Sequence, residues 1–225
     1  MIDQNGYPGC RLENGEFDGG DTAAILGTLW FFQELSTHGL PFSIAGIPLR
    51  HPDTTKWYGR PDRFSRDQLI AVLCGMNESY FPEDLDRLYI AHKRRYFLTA
   101  WNTRKNGVMD APKKMPDFCG PTVWALWLRL LQPRWARLVL WAFDLELLAS
   151  AIHWRFWRKD RVSRNHMLTS LAAYTYSPTW VSRLVFRLND WDDLIERWTD
   201  HCEAVGEYQT GHLFKSEIER LRRQA

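Results

Sequence analysis

The stretch Phe17-Asp-Gly-Gly-Asp-Thr22 sets two carboxylates, Asp18 and Asp21, on either side of a glycine pair. With no side-chain bulk between them, the two acids can approach each other and anything bound beside them. Carboxylates so placed serve as general acid or base, or ligate a hard cation through oxygen. The EF-hand spacing is not met and no bidentate glutamate stands in register, so no metal is expected. A plainer reading makes Asp21 a helix N-cap and Asp18 the turn residue before it.

A second cluster is RPDRFSRDQ, Arg60 to Gln68. With Ser65 as N-cap, Arg66, Asp67 and Gln68 take the first three helical positions, and Gln68 completes a capping box. The helix dipole stabilises a first-turn carboxylate, which suits Asp67 to the work of a base or nucleophile. Arg63 and Arg66 can hold an anionic substrate such as a uronate or phosphate. A closed Arg–Asp network that pins the loop is the competing reading.

The same segment has an echo. DRFSRDQLIAVL (Asp62–Leu73) aligns without a gap to DRVSRNHMLTSL (Asp160–Leu171), 98 residues later, where Asn165 and His166 replace Asp67 and Gln68. If two halves of the chain face one another, Asp67 and His166 pair an ionised carboxylate with a titratable imidazole. Drift on a repeated capping motif gives the same pattern. Between these clusters, Trp57 and Tyr58 stand beside charged residues and offer a stacking platform for a sugar ring. Trp124, Trp127, Trp135, Trp141, Trp154 and Trp157 read as core stripes. The Trp/Arg interleaving along HWRFWRKDR also suits a protein partner or, ranking lower, a membrane surface. There is no nucleophile elbow, Gly-rich phosphate loop or HExxH, and no cofactor is expected.

The elements that must position these residues are helical. Helices are expected over Asp21–Thr37, from Ser65 to Gly75, after Pro82, and over Thr122–Leu131 and Trp135–Arg158. Four more follow: Ser163–Tyr174, Pro178–Leu188, Trp191–Ala204 and His212–Arg223. Residues 1–20 read as an irregular lead-in, with long loops at 40–63 and 106–121 and a short strand allowed within FSIAGIPLR. The expected fold is all-α with roughly nine helices, a helical-hairpin array or partial α/α toroid, in a single domain spanning 1–225.

Composition bounds the function. A 45% hydrophobic content with 12 Trp excludes a disordered chain. A net charge of +2 gives no footprint for nucleic acid. The four cysteines are scattered and read as free thiols of a reducing compartment. No secretory signal is evident at the N-terminus, and the most apolar run, Leu138–Ile152, is interrupted by Asp144 and Glu146.

The DGGDT helix start, the loop HPDTTKWYGRPDRFSRDQL and the later SRNHM and SPTW segments together resemble uncharacterised all-helical proteins of bacteriophages and prophages, from Asp18 to Trp180. That resemblance implies a viral context, in the host cytoplasm or the virion, without a reaction. Helical hairpins with acids at inner-helix starts are similar, at the level of fold, to α/α-toroid glycoside hydrolases and polysaccharide lyases. The chain is short for a full toroid and lacks their usual motifs. The expectation is therefore a phage-associated, glycan-active protein. Asp18, Asp21, Asp67 and His166 would be catalytic, while Trp57, Tyr58, Arg63, Arg66 and Asn165 bind a glycan or another anionic small molecule. Its chemistry needs two carboxylates about 5–10 Å apart. The alternative is a non-enzymatic virion or tail accessory component, or a factor that binds a host protein.

Overall fold

A computed structural model describes residues 1–32, 38–60, 64–76, 82–94, 97–99, 117–156, 164–205 and 208–224. Among them the chain is all-α, with nine α-helices and two two-stranded antiparallel ribbons. The chain forms two compact units, Met1–Gly120 and Pro121–Ala225.

The N-terminal unit opens with β1 (Cys10–Arg11) paired to β2 (Phe17–Asp18), then a 3-10 turn over Gly19–Asp21 and α1 (Thr22–Phe31). A second 3-10 turn, Trp57–Gly59, precedes α2 (Arg66–Gly75) and α3 (Pro82–Arg94), and the ribbon β3 (Leu98–Thr99) with β4 (Asp117–Phe118) follows. The lead-in is thus more ordered than its composition suggests. Asp3 accepts the backbone N–H groups of Asn5 (2.9 Å) and Tyr7 (2.7 Å), Gly6 takes the left-handed φ of 87°, and Ile2 bridges Pro8. An Asx-type turn of this kind leaves no hydrophobic period to read.

Forty residues later the turn recurs. Ser43 stands for Asp3, Gly46 for Gly6 with φ 74°, and the bridge joins Phe42 to Pro48. Its hydrogen bonds match position for position, Ser43 N–H to Ile47 and Gly46 N–H to Ser43 answering Asp3 N–H to Tyr7 and Gly6 N–H to Asp3. Each turn leads through a 3-10 turn into a helix, and the two helices cross with their backbones in contact. A Cβ at Gly27 would lie 2.4 Å from the Ala71 carbonyl, and one at Gly75 would lie 2.2 Å from the Gly27 oxygen. Only glycine permits that approach.

The C-terminal unit holds α4 (Pro121–Leu131), α5 (Ala136–Phe156), α6 (Arg164–Tyr176), α7 (Trp180–Leu188), α8 (Trp191–Val205) and α9 (Tyr208–Gln224). Gln132, in left-handed backbone with φ 44°, and Pro133 after it end α4. Leu147 and Ala151 of α5 pack with Ala173, Val181 and Val185, while Leu140 packs with Ala125 and Leu128 of α4. A buried ion pair ties these layers together. Arg129 donates twice to Asp144 (2.7 and 2.9 Å), and Asp144 also accepts the hydroxyl of Thr179, the N-cap of α7, at 2.7 Å.

Candidate functional site

The echo begins two helices in the same register. Arg66 opens α2 and Arg164 opens α6, 98 residues apart. In each copy the third helical residue reaches across to another turn of its own unit. Gln68 accepts the N–H of its cap residue Ser65 (3.3 Å) and donates to Gly20 O (3.3 Å) and Asp21 Oδ1 (3.2 Å). His166 lies 2.9 Å by its Nε2 from Asn189 Oδ1, at the junction of α7 and α8. Both side chains therefore tether a helix start. His166 is buried in the C-terminal unit, and burial lowers its pKa, so it is neutral at pH 7. Asn165 beside it is half-buried.

The other expected site residues fall in the N-terminal unit. Asp18, Trp57 and Tyr58 line one open cavity of about 780 Å³. Asp21 stands next to it, bound to Gln68 and 3.8 Å from the Cys10 thiol. Asp67 and Arg66 lie exposed on the first turn of α2, and neither lines the cavity. Arg63 lies outside the described residues, as do Trp157 and most of the loop at 106–121.

Asp3, Glu16, His51, Asp53 and Lys56 also line it, beside the uncharged Gln4 and Asn5, and none of them is among the expected site residues. The segment His51-Pro-Asp53 in the long loop was their only local signal. Four carboxylates against one lysine make the cavity acidic. Asp53 accepts Thr55 Oγ1 (2.6 Å) and N–H (3.0 Å), and the Thr55 hydroxyl holds its carboxyl below the usual range, so it stays ionised. Burial, reinforced by the charges of Asp53, Asp18 and Asp3, raises the Tyr58 phenol and keeps it protonated. Asp18 is half-buried and accepts Gly20 N–H at 2.9 Å, the N-cap of its 3-10 turn.

His51 is the hub beneath this wall. Its Nδ1 accepts the Asp53 N–H at 3.0 Å, so the hydrogen sits on Nε2. Nε2 lies 3.3 Å from Asp3 Oδ2, within ion-pair reach but without the alignment of a hydrogen bond. The ring meets Tyr7, Phe17 and Tyr58 edge-on. Desolvation lowers its pKa against the pull of Asp3 and Asp53. With one nitrogen accepting and the ring 1% exposed, His51 positions the wall rather than shuttling protons.

Trp57 packs beside Gly20 and carries the Arg50 guanidinium 5.8 Å from its ring centroid, with Tyr58 set edge-on at 5.6 Å. The arrangement offers carboxylate acceptors, a phenol donor and a braced indole around one opening. It suits a ligand rich in hydroxyl groups that carries no negative charge. Burial pushes the Cys119 thiol up to about 11, which disfavours its thiolate. Among the described residues no group of three or more His, Cys, Asp or Glu side chains is arranged to hold a metal ion, and no helix is long and apolar enough to cross a membrane. No family model matches the chain, and neither the curated proteins nor the solved structures give a match.

Proposed function

We propose that the acidic cavity of the N-terminal unit is a carbohydrate site, with Trp57 stacking a sugar ring and Asp18 and Asp53 contacting its hydroxyl groups. The observation that carries this reading is the gathering of Asp18, Trp57 and Tyr58 with three further carboxylates around one opening. The surplus of acids argues for neutral or amino sugars over uronates. In the viral context implied by the resemblance, the substrates are bacterial envelope glycans, and the acid/base pair of a hydrolase or lyase is drawn from Asp18 and Asp53. The test titrates the full chain against neutral, amino-sugar and uronate oligosaccharides, and then follows release of reducing ends. Trp57→Ala should weaken binding at least tenfold. Asp18→Asn should remove turnover while sparing binding. Preference for uronates, or binding indifferent to Trp57→Ala, would sink the proposal.

One observation favours a second, non-enzymatic reading. Along α5 and the residue before it, Trp135 (56% exposed), Leu138 (75%), Trp141 (45%) and Leu145 (42%) form an uncovered apolar stripe. A stripe of that kind fits a protein partner such as a virion component or host factor. Trp141→Ser with Leu138→Ser should abolish co-migration with such a partner in size-exclusion chromatography, with sugar binding untouched.

A further inference from the structure

The C-terminal unit has a cavity of its own, about 520 Å³, and its electrostatic character is the reverse of the first. Arg183, Arg187 and Arg222 line it, and among the described residues no carboxylate does. Arg183 and Arg187 are four residues apart on α7, so they project from one face of the helix. Both are exposed, and neither makes an ion pair among the described residues. Arg222 reaches in from α9 and holds Asp192 through two hydrogen bonds, Nη1 to Oδ1 (2.7 Å) and Nη2 to Oδ2 (3.2 Å). Those two contacts leave other N–H donors of its guanidinium uncommitted. Asp190, the other acid of this corner, is engaged by Arg155. Two uncompensated guanidinium groups therefore converge with a third that is already oriented.

The rest of the lining selects what the anion is attached to. Tyr174 stacks on Phe186 with ring centroids 4.2 Å apart and planes at 20°, and Phe186 meets Trp191 at 5.2 Å. Phe186 and Trp191 are buried with their planes tilted at 41°, Tyr174 is half-buried, and together they make an aromatic wall. Asn189, 8% exposed, also lines the cavity, and its Nδ2 finds no acceptor among the described residues while its Oδ1 faces His166. A buried amide donor left without an acceptor is destabilising, and a bound oxygen would relieve that penalty.

We infer that this cavity binds an aromatic phosphomonoester, the phosphoryl group between Arg183, Arg187 and Arg222 and the ring against Tyr174. Guanidinium forks match phosphoryl oxygens in pairs, and three of them suit a dianion better than a single carboxylate. The assignment is independent of the carbohydrate reading, because every residue it uses belongs to the other unit. The test is calorimetric titration of the full chain, at constant ionic strength, with phenyl phosphate, inorganic phosphate and benzoate. Phenyl phosphate should bind saturably and at least tenfold more tightly than either comparison ligand, which lack the ring and the second charge respectively. The double variant Arg183→Gln/Arg187→Gln should lose at least tenfold in affinity with an unchanged melting temperature, both side chains being exposed. Arg183→Lys/Arg187→Lys, which keeps the charge and loses the fork, should fall between. Absence of saturable binding, benzoate binding as tightly as phenyl phosphate, or affinity unmoved by the glutamine pair would each overturn the assignment.

Discussion

Arg129→Met should be among the most damaging single substitutions in the C-terminal unit. The Arg129 and Asp144 side chains are 1% and 0% exposed, and Asp144 takes both guanidinium hydrogen bonds and that of Thr179. Removing the arginine leaves a carboxylate in an apolar layer with one hydroxyl for company. Breaking a buried pair from one side costs about 3–5 kcal/mol. Asp144→Leu should cost as much, because it leaves the Arg129 guanidinium buried without its carboxylate, while the Thr179 hydroxyl keeps Ser182 as its partner. The double variant removes both charges and puts apolar volume in their place, so it should recover most of the loss. Converted at roughly 2–4 °C per kcal/mol for a chain of this size, each single variant should lower Tm by about 6–20 °C. Urea and thermal melts followed by tryptophan fluorescence give the four corners of a double-mutant cycle. If either single variant melts within about 2 °C of the parent, or the double variant is as unstable as the two losses added, the ion pair does not hold the layers in the way argued.

Three further outcomes follow from other parts of the fold. Gly27→Ala places a methyl group within the α1–α2 crossing, 2.4 Å from the Ala71 carbonyl, and should cost at least about 1–3 kcal/mol by chemical denaturation. His51 and His166 both have folded pKa values below the ordinary histidine value, chiefly through burial, so the unfolded chain takes up protons first as pH falls. Stability should then drop as pH falls below about 6.5, by at most about 1.4 kcal/mol per pH unit for each histidine. His166→Gln should flatten that profile, and a slope the same in variant and parent would contradict it. Asp53→Asn removes the charge that Thr55 and the His51 loop organise, and should weaken amino-sugar binding more than neutral-sugar binding in the same titration.

Helix-forming segments were legible because each carries its own signals. Ser65 with Gln68 marks the start of α2, Pro121 the start of α4, and Gln132-Pro133 the end of α4. The echo at 66 and 164 predicts two helix starts in register, and the helices begin there. The cavity was only half legible. Asp18, Trp57 and Tyr58 declare themselves by chemistry and by neighbouring glycines and charges. Asp3 and His51 do not, because their placement depends on a turn without periodicity and on ring contacts among Tyr7, Phe17 and Tyr58. The tether from Gln68 to Asp21 joins residues 47 apart and leaves no local trace. The arginine-lined cavity was illegible for the same reason, since Arg187 of α7 and Arg222 of α9 come to line one cavity only after folding.

The doubled turn-and-helix design of the N-terminal unit bears on how its cavity can move. Part of the lining, from Ile2 to Asp18, belongs to the first copy, and the rest, from His51 to Tyr58, belongs to the second. The helices behind them touch backbone to backbone at Gly27 and Gly75, where no flexible side chain intervenes to give way. Such a crossing behaves as a welded hinge. Sliding or rolling of one copy against the other is opposed at that crossing, which leaves Lys56, Gln4 and the rim of the opening as the parts with side-chain freedom. On the proposed carbohydrate reading, such a frame favours selectivity by shape over capture by closure.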